Sequence, residues 1–211
     1  MAHGRLITIE GLDGAGKSTL AEGLSSALAA RGEAVELLRE PGGVAVSERI
    51  RELVKDPLLA VAPRTETLLY AAARAQLVHE RVLPLLEEGT TVLLDRFVDS
   101  SLAYQGAGRD LGVEAVRDVN RFATGGLEPN LTLLLRVAPA LGRQRQRGRA
   151  VAPDRLEQED EGFFDAVARA YEQLALAQPK RIRVIDAGVA PAAVLAAALA
   201  ALAALDETAQ S

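Results

Sequence analysis

A three-layer α/β fold, with a five-stranded parallel sheet between layers of helices, is the architecture this sequence predicts. Three observations carry it. Short β-rich runs alternate with helical patterns along the chain, as in parallel strands joined by crossover helices. Several of the runs are almost continuously apolar, as expected of strands covered on both faces. A glycine-rich stretch, GLDGAGKST (11–19), stands between the first run and the first helical pattern, where a phosphate-binding turn belongs.

Taken in order, RLITIE (5–10) is the first strand and 17–31 the helix after the glycine-rich turn. AVELLR (34–39) is the second strand, followed by the break EPGG (40–43) and helices over 46–55 and 65–88. TTVLLD (90–95) is the third strand. YQGAGRDLG (104–112) reads as a break, because glycine is costly inside a helix, and 111–124 as a helix. After the turn GGLEPN (125–130) come the strand LTLLLRV (131–137), a helix over 162–177, the strand RIRVID (181–186) and a helix over 191–205. No break is long enough for an interdomain linker, so residues 1–211 are expected to form one domain.

Composition narrows the function. Apolar residues make up 49% of the chain and charged residues 25%, ordinary for a globular protein. The net charge of −5 argues against a general nucleic-acid binder. The absence of cysteine excludes disulfides and cysteine metal sites and fits a reducing cytoplasm. MAHGRLITIEG has no signal-peptide layout. AAVLAAALAALAAL (192–205) imitates a membrane span but falls short of the ~20 residues needed. Leu195, Leu199 and Leu202 lie at helical spacing, so a surface helix with one buried stripe is expected, and no membrane partner.

The pattern G-x-x-x-x-G-K-[ST] is filled by Gly11, Gly16, Lys17 and Ser18. It identifies a P-loop NTPase-type fold. Gly11, Leu12, Asp13, Gly14, Ala15, Gly16, Lys17, Ser18 and Thr19 are expected to wrap ATP phosphates with backbone N–H groups. Lys17 is expected to reach the β- and γ-phosphates, and Ser18 to ligate Mg²⁺. Asp95 ends an apolar strand at the carboxyl edge of the sheet. There it could either hold the Mg²⁺ through water or simply cap the next helix.

Arg96 follows Asp95 where a GTPase switch would carry glycine, and no N-K-x-D base-reading motif is present. The segment GRQRQRGRAVAPDR (142–155) is rich in arginine and passes into the acidic EQEDE (157–161). By itself it could be a solvated charged loop or helix end, or a mobile flap over polyphosphate. Transfer between two anions requires their repulsion to be neutralised and water kept out. Arg96, Lys17 and the arginines of a lid at about 142–158 would supply that charge. The residues thus point to a small-molecule kinase.

Together, GLDGAGKST, REPGG, YAAARAQLV, DRFVDSSLAYQG and DRLEQE resemble the bacterial thymidylate kinase family over almost the whole chain and in the right order. The resemblance implies phosphorylation of dTMP to dTDP with ATP and Mg²⁺ and a homodimer. It places Tyr70 on thymine, Arg74 at a thymine carbonyl and Ser101 near the base N3. Tyr104 and Asp13 fall by the deoxyribose. Arg96 falls at the acceptor phosphate with Arg51, and Arg39 is a further candidate. Glu40 falls near the magnesium and acceptor, and Gln105 joins the acceptor set. Arg143 would pack on adenine, and Arg147, Arg149 and Arg155 are the candidates for a catalytic lid arginine.

The chain departs from the family at three points. Tyr70 replaces the usual phenylalanine, the lid is longer between RG and DR, and Gly14 stands where one branch carries arginine. Two other readings stay open: another nucleoside monophosphate or small-metabolite kinase on the same fold, and a nucleotide-dependent switch without transfer.

Overall fold

The computed structural model describes residues 4–147 and 154–209, with backbone alone for 139, 140, 143, 147, 208 and 209. The strands are β1 (Leu6–Gly11), β2 (Val35–Arg39), β3 (Thr91–Asp95), β4 (Leu131–Arg136) and β5 (Ile182–Asp186). They form one all-parallel sheet in the order β2-β3-β1-β4-β5. β1 is central and buried along its whole length. Its side chains alternate between faces, as the strand period requires. Ile7 and Ile9 pack with Leu20, Leu24 and Leu28 of α1 (Lys17–Ala29) and with Ala198 and Leu202 of α9 (Pro191–Ala209). Leu6 faces the other layer, with Leu77, Val82, Leu94 and Phe97. Farther along that layer, Leu102, Tyr104, Val116, Phe163 and Tyr171 form a further cluster.

The remaining helices are α2 (Ala45–Lys55), α3 (Pro63–Leu77), α4 (Leu83–Glu87), α5 (Val98–Ser101), α6 (Val113–Thr124), α7 (Pro139–Arg147) and α8 (Glu161–Ala177). The helix expected over 65–88 divides into α3 and α4 around a wide, π-helical turn at Val78–Val82. Pro84 supplies the cause: it lacks an N–H, and its ring would strike the carbonyl four residues back. α7 occupies the start of the arginine-rich segment, which is therefore a helix end there, one of the alternatives the composition left open. Asp160 caps α8, accepting from the Phe163 amide at 2.8 Å.

Two expectations shift. In α9 the buried stripe is Val194, Ala198 and Leu202, while Leu195 and Leu199 flank it half-buried. Gly23 of α1 leaves the gap into which Leu195 packs. Among the described residues, no helix is long and apolar enough to cross a membrane.

The second shift is larger. Residues 104–108, read as a break, continue α5 as a π-helical stretch, Leu102–Gly108. The glycines are there for packing. A Cβ on Gly106 would come within 3.0 Å of Val113 Cα, and one on Gly108 within 2.6 Å of the Phe163 ring. Close approach to α6 and α8 outweighs the ~1 kcal/mol that glycine costs a helix. Gly108→Ala should therefore destabilise the protein by about 1–3 kcal/mol, despite the better helix propensity of alanine. Denaturant unfolding measures this, and an unchanged or raised midpoint would remove the packing argument.

Candidate active site

The carboxyl ends of β1 and β3 deliver the site. After β1 the chain turns through Gly11, Gly14 and Gly16, all at positive φ, and enters α1 at Lys17. The Lys17 ammonium folds back onto the carbonyl oxygens of Gly11 (3.2 Å) and Leu12 (3.0 Å), with Asp13 at 3.5 Å. Burial and the nearby Arg96 charge both push its pKa down. Gly14 admits no side chain, since a Cβ there would lie 2.2 Å from the carbonyl oxygen of Gly142 in α7. The base of the arginine-rich segment thus rests directly on the phosphate turn. Ala15 is a core residue, Thr19 is exposed, and Leu12 packs against the Tyr104 cluster.

Ser18 donates its hydroxyl to Asp95 Oδ2 at 3.1 Å. Two hard oxygen donors therefore stand side by side at the mouth of the turn. That donor set suits Mg²⁺, which takes one or two protein oxygens and completes its shell with water and phosphate.

Arg96 is the hub. Its backbone has φ 72°, in the left-handed region that is costly for a side-chain-bearing residue. Its guanidinium pairs with Asp13 Oδ1 at 2.6 Å, donates to Ser100 Oγ at 3.0 Å and lies over the Tyr104 ring at 5.0 Å. The Tyr104 hydroxyl donates to the other Asp13 oxygen at 3.2 Å. Burial alone would raise the Asp13 pKa, but Arg96 and Lys17 overcome it and hold the carboxyl well below the usual range. Burial likewise works against the Arg96 charge, and Asp13 more than restores it.

One face of α3 supplies the far end of the site. Tyr70 and Arg74 are four residues apart and line the same cavity. Arg74 is 1% exposed, and its guanidinium makes four hydrogen bonds and an ion-pair contact from Nη2. They reach Glu40 Oε2 (2.7 and 2.6 Å), Ser101 Oγ (2.9 Å), Asn120 Oδ1 and the Phe97 carbonyl (2.9 Å). A ligand atom that bonds Arg74 must therefore share or displace one of these partners. The second oxygen of Glu40, Oε1, is buried without a hydrogen-bond partner among the described residues. Burial raises the Glu40 pKa, opposed by Arg74.

Between Lys17 and Tyr70 runs a cavity of about 220 Å³, lined also by Asp13, Arg39, Glu40, Arg51, Asp95, Arg96, Ser101, Tyr104 and Gln105. Of the expected residues outside the lid, only Leu12 and the helix-side Thr19 and Ala15 and the turn's Gly11 stay off its wall. Arg51 is held by the Pro41 carbonyl at 2.7 Å and Arg39 by Glu48 at 2.9 Å. The lid gives a different result. Arg149 lies outside the described residues, as do the side chains of Arg143 and Arg147. Arg155, a candidate for the catalytic arginine, is not among the residues lining the cavity. It donates to the Val54 carbonyl at 3.1 Å and lies 2.7 Å from Glu66 Oε2. The reason is electrostatic: Glu66 is a fully buried carboxylate and needs a counter-charge.

Sequence reasoning missed several groups. Lys55 lines the cavity one turn beyond Arg51, and Asp154, Leu156 and Glu157 close one side. Lys55 carried a signal, being four residues after Arg51 on one helix. Tyr171 and Asn120 carried none, since only tertiary packing brings them in.

The fold and the site define a P-loop nucleotide-binding protein whose cavity joins a phosphate turn to a second, arginine-ringed pocket. A family model described as thymidylate kinase matches residues 9–197. Thymidylate kinases of Deinococcus radiodurans and Oenococcus oeni are 51% and 50% identical to this chain. The matches cover 89% and 90% of it and 90% and 91% of those proteins. That of Alkalilimnicola ehrlichii is 47% identical, over 96% of this chain and 94% of its own length. The chain belongs to the thymidylate kinase family.

Glu10, the last charged residue of β1, anchors the arrangement from behind. It accepts from the Phe97 amide (2.7 Å), Ser100 Oγ (2.6 Å) and the Tyr171 hydroxyl (2.9 Å). Its place at the end of an apolar strand, one residue before the glycine turn, was the available signal. Burial, reinforced by Asp99, raises its pKa to about 7, against the pull of Ser100, Arg96 and the Phe97 amide. Folded Glu10 thus keeps its proton at pH values where the unfolded chain has lost it. The resulting stability is full below about pH 4.5 and disappears as pH rises towards 7. Glu10→Gln should remove this pH-dependent component, on the order of 3 kcal/mol. Unfolding free energies at pH 5 and pH 8 measure it, and equal slopes in the two proteins would refute it.

Proposed function

We propose that this chain transfers the γ-phosphoryl group of ATP to dTMP, yielding dTDP and ADP, with Mg²⁺ at Ser18 and Asp95. One observation carries the reading: a single cavity runs from the Lys17 turn to Tyr70 and Arg74, with Arg96 between them. The phosphate turn receives the ATP polyphosphate, and α3 receives the thymine. A phosphate oxygen of dTMP attacks the γ-phosphorus while the bond to the β-phosphate oxygen breaks.

No general base is needed, because the attacking oxygen is already anionic. The chain supplies position and charge. Two unit charges about 4 Å apart repel by ~4 kcal/mol at an effective dielectric of about 20. Arg96, Lys17, Arg51 and Arg39 oppose that repulsion from fixed positions. Mg²⁺, when bound, neutralises charge on the β- and γ-oxygens. Asp13 holds Arg96 in place and is near enough to Tyr104 for the two to bracket the deoxyribose. Tyr70 stacks on the base, while Arg74 and Ser101 meet its edge, with Glu40 and Gln105 behind them. Arg147 or Arg149 is left to supply a lid cation, since Arg155 is committed to Glu66. Arg143 packs on adenine.

The whole chain acts as one catalytic domain, and two copies associate. Leu53 of α2, Leu68 of α3 and Phe122 of α6 are exposed apolar residues on neighbouring helices, which supports a homodimer through that face. The net charge of −5 supports a small-molecule acceptor rather than nucleic acid.

A coupled assay of ADP release across monophosphate acceptors tests the reading. Rapid turnover is expected with dTMP alone. Loss of the 5-methyl should cost dUMP roughly 10–200-fold in kcat/KM, and dCMP, with a changed hydrogen-bonding edge, should fall further. No ADP above background with dTMP would refute the function, and equal rates for dCMP and dTMP would remove Arg74 and Ser101 as base readers. Arg96→Met should lower kcat by about 10²–10³-fold. A kcat near that of the unaltered protein would displace Arg96 from the transfer step.

A further inference from the structure

Glu66 has no part in the reaction described above, yet among the described residues it is a buried carboxylate paired with two guanidinium groups, Arg109 and Arg155. It lies on α3 one turn before Tyr70 and two turns before Arg74, on the same face of the helix. It is fully buried. Its Oε1 accepts from Gln105 Nε2 at 2.8 Å and Arg109 Nε at 3.3 Å. Its Oε2 accepts from Arg109 at 3.1 Å and faces Arg155 at 2.7 Å. Arg109 is shared with Glu159 at 2.7 Å. Two carboxylates thus balance two guanidinium groups, and Glu66 is the member that touches both.

These contacts tie down the segment 154–159. Its other anchors are the Arg155 amide on the Lys55 carbonyl (3.3 Å), Arg155 Nε on the Val54 carbonyl (3.1 Å) and Lys55 on Asp154 (2.7 Å). Of the two ion pairs among these anchors, Arg155–Glu66 (side chains 12% and 0% exposed) is more buried than Lys55–Asp154 (37% and 20%) and so less screened by solvent. The segment matters because Asp154, Leu156 and Glu157 line the same cavity as Tyr70 and Arg74, and Gln105, also held by Glu66, lines another part of it.

We propose that Glu66 is a positioning residue for the acceptor nucleotide: through Arg155 and Gln105 it fixes the wall that closes the pocket around the base. This rests on the acceptor reading of that pocket. Removing the Glu66 charge leaves Arg155 buried without a counter-ion, so the segment should leave its seat rather than tolerate the loss. Among the described residues, the hydrogen bonds and ion pairs of Glu66, Arg109 and Arg155 involve none of the phosphate turn, so ATP binding should be spared.

Glu66→Gln and Arg155→Gln, singly and together, test it with two readouts. Without substrates, amide hydrogen exchange at residues 155–157 should be about tenfold faster or more in each variant. In steady-state kinetics the KM for dTMP should rise about tenfold, with the KM for ATP changed by less than about twofold. The double variant should resemble the singles, because both remove one interaction. Glu66→Asp should recover part of the dTMP affinity. Should Glu66→Gln fail to fold, Arg155→Gln, which leaves α3 intact, carries both readouts. Unchanged exchange at 155–157, equal rises in both KM values, or additive effects would overturn the proposal. Absence of dTMP turnover in the unaltered protein would instead strike the acceptor reading, while exchange at 155–157 would still decide whether Glu66 anchors the segment.

Discussion

The ion pair between Arg96 and Asp13 is the contact on which the rest of the site depends. It joins the turn after β1 to the turn after β3, two neighbouring strands of the sheet. Arg96 reaches it from a left-handed backbone conformation, at a cost of about 1–3 kcal/mol. That conformation is held by its amide on the Ile9 carbonyl at 3.0 Å and by Glu10 gripping the next amide at 2.7 Å. The sheet imposes the geometry, and the ion pair gives the strained residue its counter-charge.

Burying so many charges is expensive, and the structure offsets the cost by neutralising them locally. Arg74 makes four hydrogen bonds, to Glu40, Ser101, Asn120 and the Phe97 carbonyl. Arg181 meets Asp99 through two bonds, at 2.7 and 2.8 Å, behind the site. Such pairs add little net stability over apolar packing. What they supply is fixed orientation: in the proposed transfer, guanidinium groups already in place need no reorganisation when negative charge shifts.

Close backbone approach is the second constraint. Gly14 and Gly142 let α7 rest on the phosphate turn, and Gly106 and Gly108 let the stretch after α5 press against α6 and α8. The Gly14 contact also gives a physical reason why this chain carries no arginine within its phosphate turn. With α7 seated there, a side chain at residue 14 has nowhere to go.

The sheet, its parallel order of strands and helices, and the phosphate turn were legible in the sequence because each is written in local pattern. Apolar runs, helical spacing and G-x-x-x-x-G-K-S act within a few residues of themselves. Tyr70 and Arg74 were singled out by resemblance to the thymidylate kinase family, and their spacing of one helical turn said only that they share a face. The helical path of 102–108, the pairing of Arg155 with Glu66 and the roles of Asn120 and Tyr171 were not legible, and for Glu10 the sequence showed its place before the glycine turn but not its partners. Each depends on which distant residue lies opposite: Phe163 for Gly108, Glu66 for Arg155, Tyr171 for Glu10. Local propensity is worth about 1 kcal/mol per residue, whereas seating a buried charge or a close backbone contact is worth several. The sequence by itself determined the scaffold and the phosphate turn, and the tertiary structure alone decided which charge meets which.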